Sequence, residues 1–388
     1  MGFSVILSAS RATGDSSGGL RAGLHFAGQT LVEYQARQAV RAGADHVLIA
    51  VGVITPVLSQ AVDRLGADGI PVALVRDMVS MVRDVPRDRD ALLIADGAIV
   101  AQAHVDAFGQ MQGDALLITD DSRASAPLER IDSGQRWAGL VRVSPALLFD
   151  TLDMIGDWDL ALTLVRAAVQ KGARRVTVPQ DDLLEGRVAL VDSQQQADLV
   201  AQAVISAGTK SGHARGGVEH LLLAPLARRI APILMRAQVP ALQVRVAAIA
   251  VGAIALVPVE LHWTLSGFSL LLLALLLSEA ADRLDELALR SPMMNWVALV
   301  PPLMALIGLV LVGGTPLAVD LALMLAILVV ANRWRRTGAA RAWMILTPGT
   351  VLLLLTGAAM AGWLDAGFRV AVLVAIASFG AIILRRHG

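Results

Sequence analysis

Two stretches of this 388-residue chain carry side chains whose types and spacing suit phosphate or metal chemistry. The first, SASRATGDSSGGLRAGLHFAG, runs from Ser8 to Gly28. It is rich in Ser and Gly, with Gly14, Gly18, Gly19 and Gly28 among its glycines, and it carries Arg11 and Arg21. Backbone N–H groups of such a loop, with two guanidiniums beside them, can hold phosphate; the competing reading is a flexible surface loop. The second, SEAADRLDELALR, ends at Arg290. On a helix, Asp282 shares a face with Asp285 and with Glu286, three and four residues on. That cluster can coordinate a divalent cation, or it can be a charged helix end neutralised by Arg290. The seven histidines show no ligand spacing. The absence of cysteine excludes disulfides, thiolate metal sites and a Cys nucleophile.

The elements that must position these groups differ sharply along the chain. Residues 1 to about 207 alternate short apolar runs with helical patterns. Strands are expected at Phe3 to Ser8, His46 to Gly52, Pro71 to Val75, Ala91 to Ala95, Ala115 to Thr119, Trp137 to Val143, Arg175 to Pro179 and Val188 to Val191. Helices are expected at Thr30 to Ala42, Thr55 to Leu65, Ala101 to Phe108, Ser144 to Met154, Leu160 to Lys171 and Gln194 to Ser206. This alternation predicts an α/β domain with a mostly parallel sheet. Ligands of such sheets sit at the carboxyl ends of the strands, which places the Ser8 to Gly28 loop at the expected site.

From Ala241 the apolar runs lengthen to membrane-spanning size, about 20 residues each. Six are expected, near 241–262, 264–281, 294–313, 315–332, 343–364 and 367–384, forming an all-α membrane domain over 241–388. This region holds ten Arg, seven acidic residues and no Lys. Arg333, Arg335, Arg336 and Arg341 between spans four and five, Arg385 and Arg386 in the tail, and Arg228, Arg229 and Arg236 before span one put both termini on the cytoplasmic side of an inner membrane. Trp263, Trp334, Trp343 and Trp363 fall near span ends. Residues 208–240 form a linker and an amphipathic interfacial helix. The opening MGFSVILSAS carries no signal peptide pattern. Overall charge is balanced, 33 basic against 33 acidic, which excludes a simple electrostatic nucleic-acid binder.

The first strand, the Gly-rich loop and the following LRAGLHFAGQTLVEYQARQAVRAGADHVLIAVG resemble the opening of the sugar-phosphate nucleotidyltransferases. Set against that family's motif, Arg21 falls on its Lys position and Gly28 on its Gly. LLIADGAIV resembles the segment with the first metal-binding carboxylate, implying that role for Asp96, and VALVDSQQQADL resembles the segment with the second, implying it for Asp192. The resemblance implies Mg²⁺ or Mn²⁺ held against a triphosphate while a sugar or polyol phosphate attacks the α-phosphorus. Ser8, Ala9 and Ser10 replace the family's first glycines, and the two lysines, Lys171 and Lys210, lie far from the loop.

Asp282-x-x-Asp285-x-x-x-x-Arg290 is similar to the first half of the CDP-alcohol phosphotransferase signature, and six spans after an interfacial helix fit that family. Some of its members are fused to an N-terminal cytidylyltransferase. The resemblance implies metal binding by Asp282 and Asp285, diphosphate binding by Arg290, CTP or a CDP-alcohol as ligand, and membrane lipids and a second copy of the chain as partners. The second-half positions, including the expected base, fall on Leu299, Leu303 and Ile307. Three readings follow: a fused transferase-like membrane protein that has lost transfer chemistry in its membrane half, an active enzyme of polar-lipid or inositol-phosphate synthesis with altered metal sites, or a membrane scaffold or transporter.

Overall fold

The computed structural model describes residues 2–15, 18–154, 159–210, 219–237, 239–290, 296–334 and 346–384. Arg335, Arg336, Arg341, Trp343, Arg385 and Arg386 lie outside them. The chain forms two units, Met1–Lys210 with Leu287–Ser291, and Ser211–Glu286 with Pro292–Gly388.

In chain order the first unit contains β1 (Phe3–Ala9), β2 (His25–Phe26), β3 (Gln29–Thr30), α1 (Leu31–Arg41), β4 (Ala44–Val51), α2 (Pro56–Ala67), β5 (Val72–Val75), α3 (Met78–Asp84), β6 (Ala91–Ile94), β7 (Ala98–Ile99) and α4 (Gln102–Gln110). It continues with β8 (Ala115–Asp120), β9 (Glu129–Arg130), β10 (Gln135–Val143), α5 (Pro145–Met154), α6 (Leu160–Gln170), β11 (Arg174–Thr177), α7 (Gln180–Leu184), β12 (Ala189–Leu190) and α8 (Gln194–Lys210). The main sheet runs β11-β8-β10-β6-β1-β4-β5, with β9 against β10. All its neighbours are parallel except those of β10. The expected α/β domain is therefore present as a mixed, mostly parallel sheet.

The strands form where the sequence is continuously apolar. In β1, Val5, Ile6 and Leu7 are fully buried, as a central strand covered on both faces requires. Helices begin at recognisable caps: Thr30 and Glu33 make a capping box for α1, Thr55 precedes Pro56 at the start of α2, and the Asp159 carboxylate accepts from Ala161 and Leu162 at the start of α6. Two small pairings escape the sequence pattern. Strands β2 and β3 close over a two-residue turn in which Ala27 and Gly28 both have positive φ, and β7 pairs antiparallel with β12.

The second unit contains α9 (Glu219–Arg236), α10 (Ala241–Glu260), α11 (Thr264–Leu287), α12 (Val300–Gly313), α13 (Pro316–Trp334), α14 (Pro348–Met360) and α15 (Leu364–Leu384). Its core holds Phe268, Leu271, Leu309, Leu325, Leu352 and Leu355. Among the described residues, α10 and α11 are long and apolar enough to cross a membrane. The expected third and fifth spans are shorter as helices, 14 residues in α12 and 13 in α14. Each starts with proline in its first turn, and 294–295 and 343–345 of those spans lie outside the described residues.

Candidate functional site

The loop after β1 is a closed hairpin. The Arg21 N–H donates to the Arg11 carbonyl at 2.9 Å and the Thr13 N–H to the Gly19 carbonyl at 2.8 Å. Gly18 sits in this loop with φ +66°. The loop is tied to Asp96 rather than left open: the N–H groups of Ser10 and Arg11 donate to Asp96 Oδ2 at 2.8 and 2.7 Å. Two N–H groups expected to face phosphate thus hold a carboxylate.

Asp96 is 5% exposed, and its second oxygen, Oδ1, is buried with no hydrogen-bond partner among the described residues. Burial pushes this carboxyl up to about 6; the hydrogen bonds from Arg11 and Ser10 and the charges of Arg21 and Arg11 pull the other way without offsetting it.

The turn carrying Asp96 is fixed from two sides. From α1, the Gln35 amide donates to the carbonyls of Ala95 and Ala98 at 3.1 and 2.7 Å, and Gln38 donates to that of Val100 at 2.9 Å. From β12, the Val191 N–H donates to the Gly97 carbonyl at 2.8 Å. Gly97 has φ +78°, and a Cβ there would lie 2.4 Å from the Val191 carbonyl oxygen and 3.2 Å from Arg21 Cδ, so only glycine permits this approach.

That pairing brings in Asp192, whose carbonyl accepts from the Gly14 N–H at 2.7 Å and whose N–H donates to Gln196 Oε1 at 3.2 Å. A Cβ on Gly14 would stand 3.2 Å from Asp192 Oδ2. The β1 loop, the Asp96 turn and the Asp192 segment therefore meet in one place, at the carboxyl end of the strands.

A cavity of about 160 Å³ opens there. Arg11, Arg21 and Asp96 line it together with Glu129, Asp159 and Trp137, and Leu128 and Leu162 supply apolar wall. Arg11 Nη2 donates to Asp159 Oδ2 at 2.8 Å, and Arg21 Nε to the Ala12 carbonyl at 3.2 Å. The Trp137 indole N–H is committed to the Leu140 carbonyl at 2.8 Å, so the ring contributes surface rather than a donor. Gly28, expected at the phosphate, instead forms the β2–β3 turn and does not line the cavity, and neither do Gly14, Gly18, Gly19 or Asp192.

Sequence reasoning missed Glu129, Asp159, Trp137 and the two glutamines. The α1 glutamines left a faint signal: Gln35 and Gln38 are three apart, interleaved with the core residues Val32, Ala36 and Ala39 rather than on a separate polar face.

Among the described residues no group of three or more His, Cys, Asp or Glu side chains is arranged to hold a metal ion. Magnesium needs less, since it is commonly held by one or two carboxylates, substrate phosphates and water. The buried, unpartnered Asp96 Oδ1 fits that requirement, with Asp192 beside the same loop.

In the second unit Asp282 and Asp285 do share a face of α11, and Arg245 of α10 lies on both: its Nη2 is 2.8 Å from Asp282 Oδ1 and 2.5 Å from Asp285 Oδ2. Arg283 Nη1 is 2.9 Å from Glu286 Oε2. Arg290 follows the end of α11, half-buried, after Leu289 with φ +55°. Leu303 and Ile307, at the motif positions that lack carboxylates, are each 49% exposed on α12.

No family model matches the chain, and no curated protein does. Among solved structures, the N-terminal half is similar to an inositol-1-phosphate CTP transferase from T. maritima, with 14% identity over 52% of this chain and 96% of that one and a TM-score of 0.39. It is also similar to a nucleotidyl transferase from Methanothermobacter thermautotroptrophicus, with 16% identity over 50% of this chain and 93% of that one and a TM-score of 0.35.

Proposed function

We propose that the first unit is a nucleotidyltransferase whose site is the cavity lined by Arg11, Arg21 and Asp96, with Asp192 against the β1 loop beside it, and that the second unit carries it on a membrane. The observation that carries the reading is Asp96: a carboxylate 95% out of solvent with one oxygen unpartnered, in a cavity that Arg11 and Arg21 also line. Leaving a buried carboxylate half satisfied is costly, and a cation together with the phosphates it accompanies removes that cost.

Asp96 and Asp192 would hold Mg²⁺ or Mn²⁺. Bound there, the ion would neutralise triphosphate oxygens and make the α-phosphorus a better electrophile. Arg11 and Arg21 bring positive charge to the phosphates, each guanidinium offering its donors as a planar fork in place of a lysine ammonium. An oxygen of the acceptor's phosphate then attacks the α-phosphorus. The new P–O bond joins the nucleotide to the acceptor, the bond to the β-phosphate breaks, and pyrophosphate leaves with the electron pair. In-line geometry and charge neutralisation supply this catalysis, so no protein base is required for an acceptor phosphate already ionised at neutral pH. CTP is the nucleotide that the sequence resemblance implies.

The second unit is read as a membrane domain of six spans with both termini cytoplasmic, on the strength of α10, α11 and the placement of arginines between apolar runs. Transfer chemistry in this half is read as lost, since Leu303 and Ile307 stand where a metal ligand and a base are needed. The deciding experiment uses the full chain in mild detergent with Mn²⁺ and labelled CTP. Binding abolished by Asp96→Asn, with pyrophosphate released only when a polyol or sugar phosphate is supplied, is the expected result. Binding unchanged in Asp96→Asn would refute the site.

A further inference from the structure

A carboxylate pair at i and i+3 on a membrane-embedded helix would ordinarily need a cation, and the motif around Asp282 and Asp285 implies a divalent one. The residues of this chain do not fit it. Arg245 reaches across from α10, is 7% exposed, and places one nitrogen within 2.8 and 2.5 Å of an oxygen on each aspartate. Glu286, the remaining carboxylate on that side of the motif, is engaged by Arg283, itself 5% exposed and also 3.6 Å from Glu279. A divalent ion on the same aspartate oxygens would stand against a fixed positive charge that is too buried to swing away.

We infer that Arg245 is a built-in counter-cation, filling the Asp282–Asp285 pair in place of a metal ion and locking α10 to α11. Its charge and reach account for the arrangement together. Arginine keeps its proton under all ordinary conditions, its planar head is weakly hydrated, and a single guanidinium can serve two carboxylates, which a lysine ammonium does less readily in a buried setting. The ion triad thereby turns an anionic cluster that could recruit a ligand into a structural joint. Removing one member of such a joint is more damaging than replacing all of it, because a lone buried charge is left behind.

The inference does not depend on nucleotide binding by the first unit, and the test is built to keep the two apart. The full chain, purified in mild detergent, carries Asp96→Asn throughout, so that a Mn²⁺ ion at the N-terminal site does not contribute. Bound Mn²⁺ is counted by electron paramagnetic resonance and thermal melting is followed in parallel. With Arg245 intact, Asp282→Asn and Asp285→Asn should leave Mn²⁺ binding unchanged while lowering the melting temperature. Arg245→Met should gain a Mn²⁺ ion that raises its melting temperature, and Asp282→Asn added to it should remove that gain. The charge-free variant Arg245→Met, Asp282→Asn, Asp285→Asn should melt above Arg245→Met alone; if Arg245→Met does not fold, recovery of folding in the charge-free variant supports the lock equally. Mn²⁺ binding that falls on Asp282→Asn while Arg245 is present would overturn the inference. So would a folded Arg245→Met that gains no ion, or loss of folding in both variants, which would make the arginine's role one of packing rather than charge.

Discussion

Asp96→Asn separates stability from function at the proposed site. The substitution keeps the shape of the side chain and leaves an oxygen to accept from Ser10 and Arg11, but it removes the charge. A carboxyl held at about 6 against an ordinary 3.8 resists ionisation by about 3 kcal/mol, at about 1.36 kcal/mol per pKa unit. The folded chain keeps this proton between pH 3.8 and about 6, where the unfolded chain has lost it. The native state therefore binds more protons in that window, and wild-type stability falls as pH rises through it. Asparagine has no such penalty. The variant should match the wild type near pH 3.5, exceed it by about 1.5 kcal/mol at pH 5 and by about 3 kcal/mol at pH 7. Urea unfolding of both full chains in detergent and EDTA, followed by hydrogen exchange in β1 and β6, measures the difference. A gap independent of pH, or a wild type more stable at pH 7, would refute the desolvation argument. The same substitution should abolish Mn²⁺-dependent CTP binding, so stability gained with binding lost would mark a carboxylate kept for its ligand.

Gly97→Ala and Gly28→Ala test the two glycines that the sequence resemblance and the fold treat differently. At Gly97 the new Cβ meets the Val191 carbonyl oxygen at 2.4 Å with φ at +78°, so a loss of about 3 kcal/mol and of CTP affinity is expected, because the β7–β12 pairing that positions Asp192 must open. At Gly28 nothing lies within 4 Å and only the left-handed backbone is strained, so about 1 kcal/mol should be lost with CTP affinity unchanged in calorimetry. Gln35→Leu strips the amide from the buried carbonyls of Ala95 and Ala98 and should cost about 2 kcal/mol, with a weaker Kd for Mn²⁺–CTP as the Asp96 turn loosens. Asp159→Ala removes both the α6 cap and the half-exposed pair with Arg11, and a loss of about 1 kcal/mol in urea unfolding is expected.

The main strands were legible because they are runs of Val, Ile, Leu and Ala bounded by turn residues, and β1, β4, β6 and β8 fall within two residues of their expected limits. What joins those strands into a site was not legible in the same way. The β7–β12 pairing involves two residues from each strand, too few to leave an alternation, yet with the Gly14 N–H bond to Asp192 it sets that residue beside the turn of Asp96. Gln35 and Gln38 look like solvent-facing helix residues by type. Their burial is tolerated because backbone carbonyls at the end of β6 and β7 accept their protons, a long-range condition that no local pattern records. The Arg245 contact is hidden in the same way, because Arg290, close in sequence to the acidic cluster, looks the natural partner. Arg245 lies 40 residues from Asp285 and is brought to it by helix packing.

The two carboxylate sites can be told apart by how their charge is balanced. Asp282 and Asp285 have a buried guanidinium on their oxygens, so their electrostatic need is met within the fold. Asp96 has backbone donors on one oxygen and nothing on the other, and the arginines lining its cavity do not bring its carboxyl back to the ordinary range. A fold can keep a carboxylate in that condition only at a cost in stability, and it recovers the cost when a cation and phosphates arrive. The balance of charge therefore supports the proposals of ligand chemistry in the first unit and mechanical joining in the second. The acidic motif in the second unit is the more conspicuous of the two in sequence, and it is the one whose aspartates already carry a buried guanidinium.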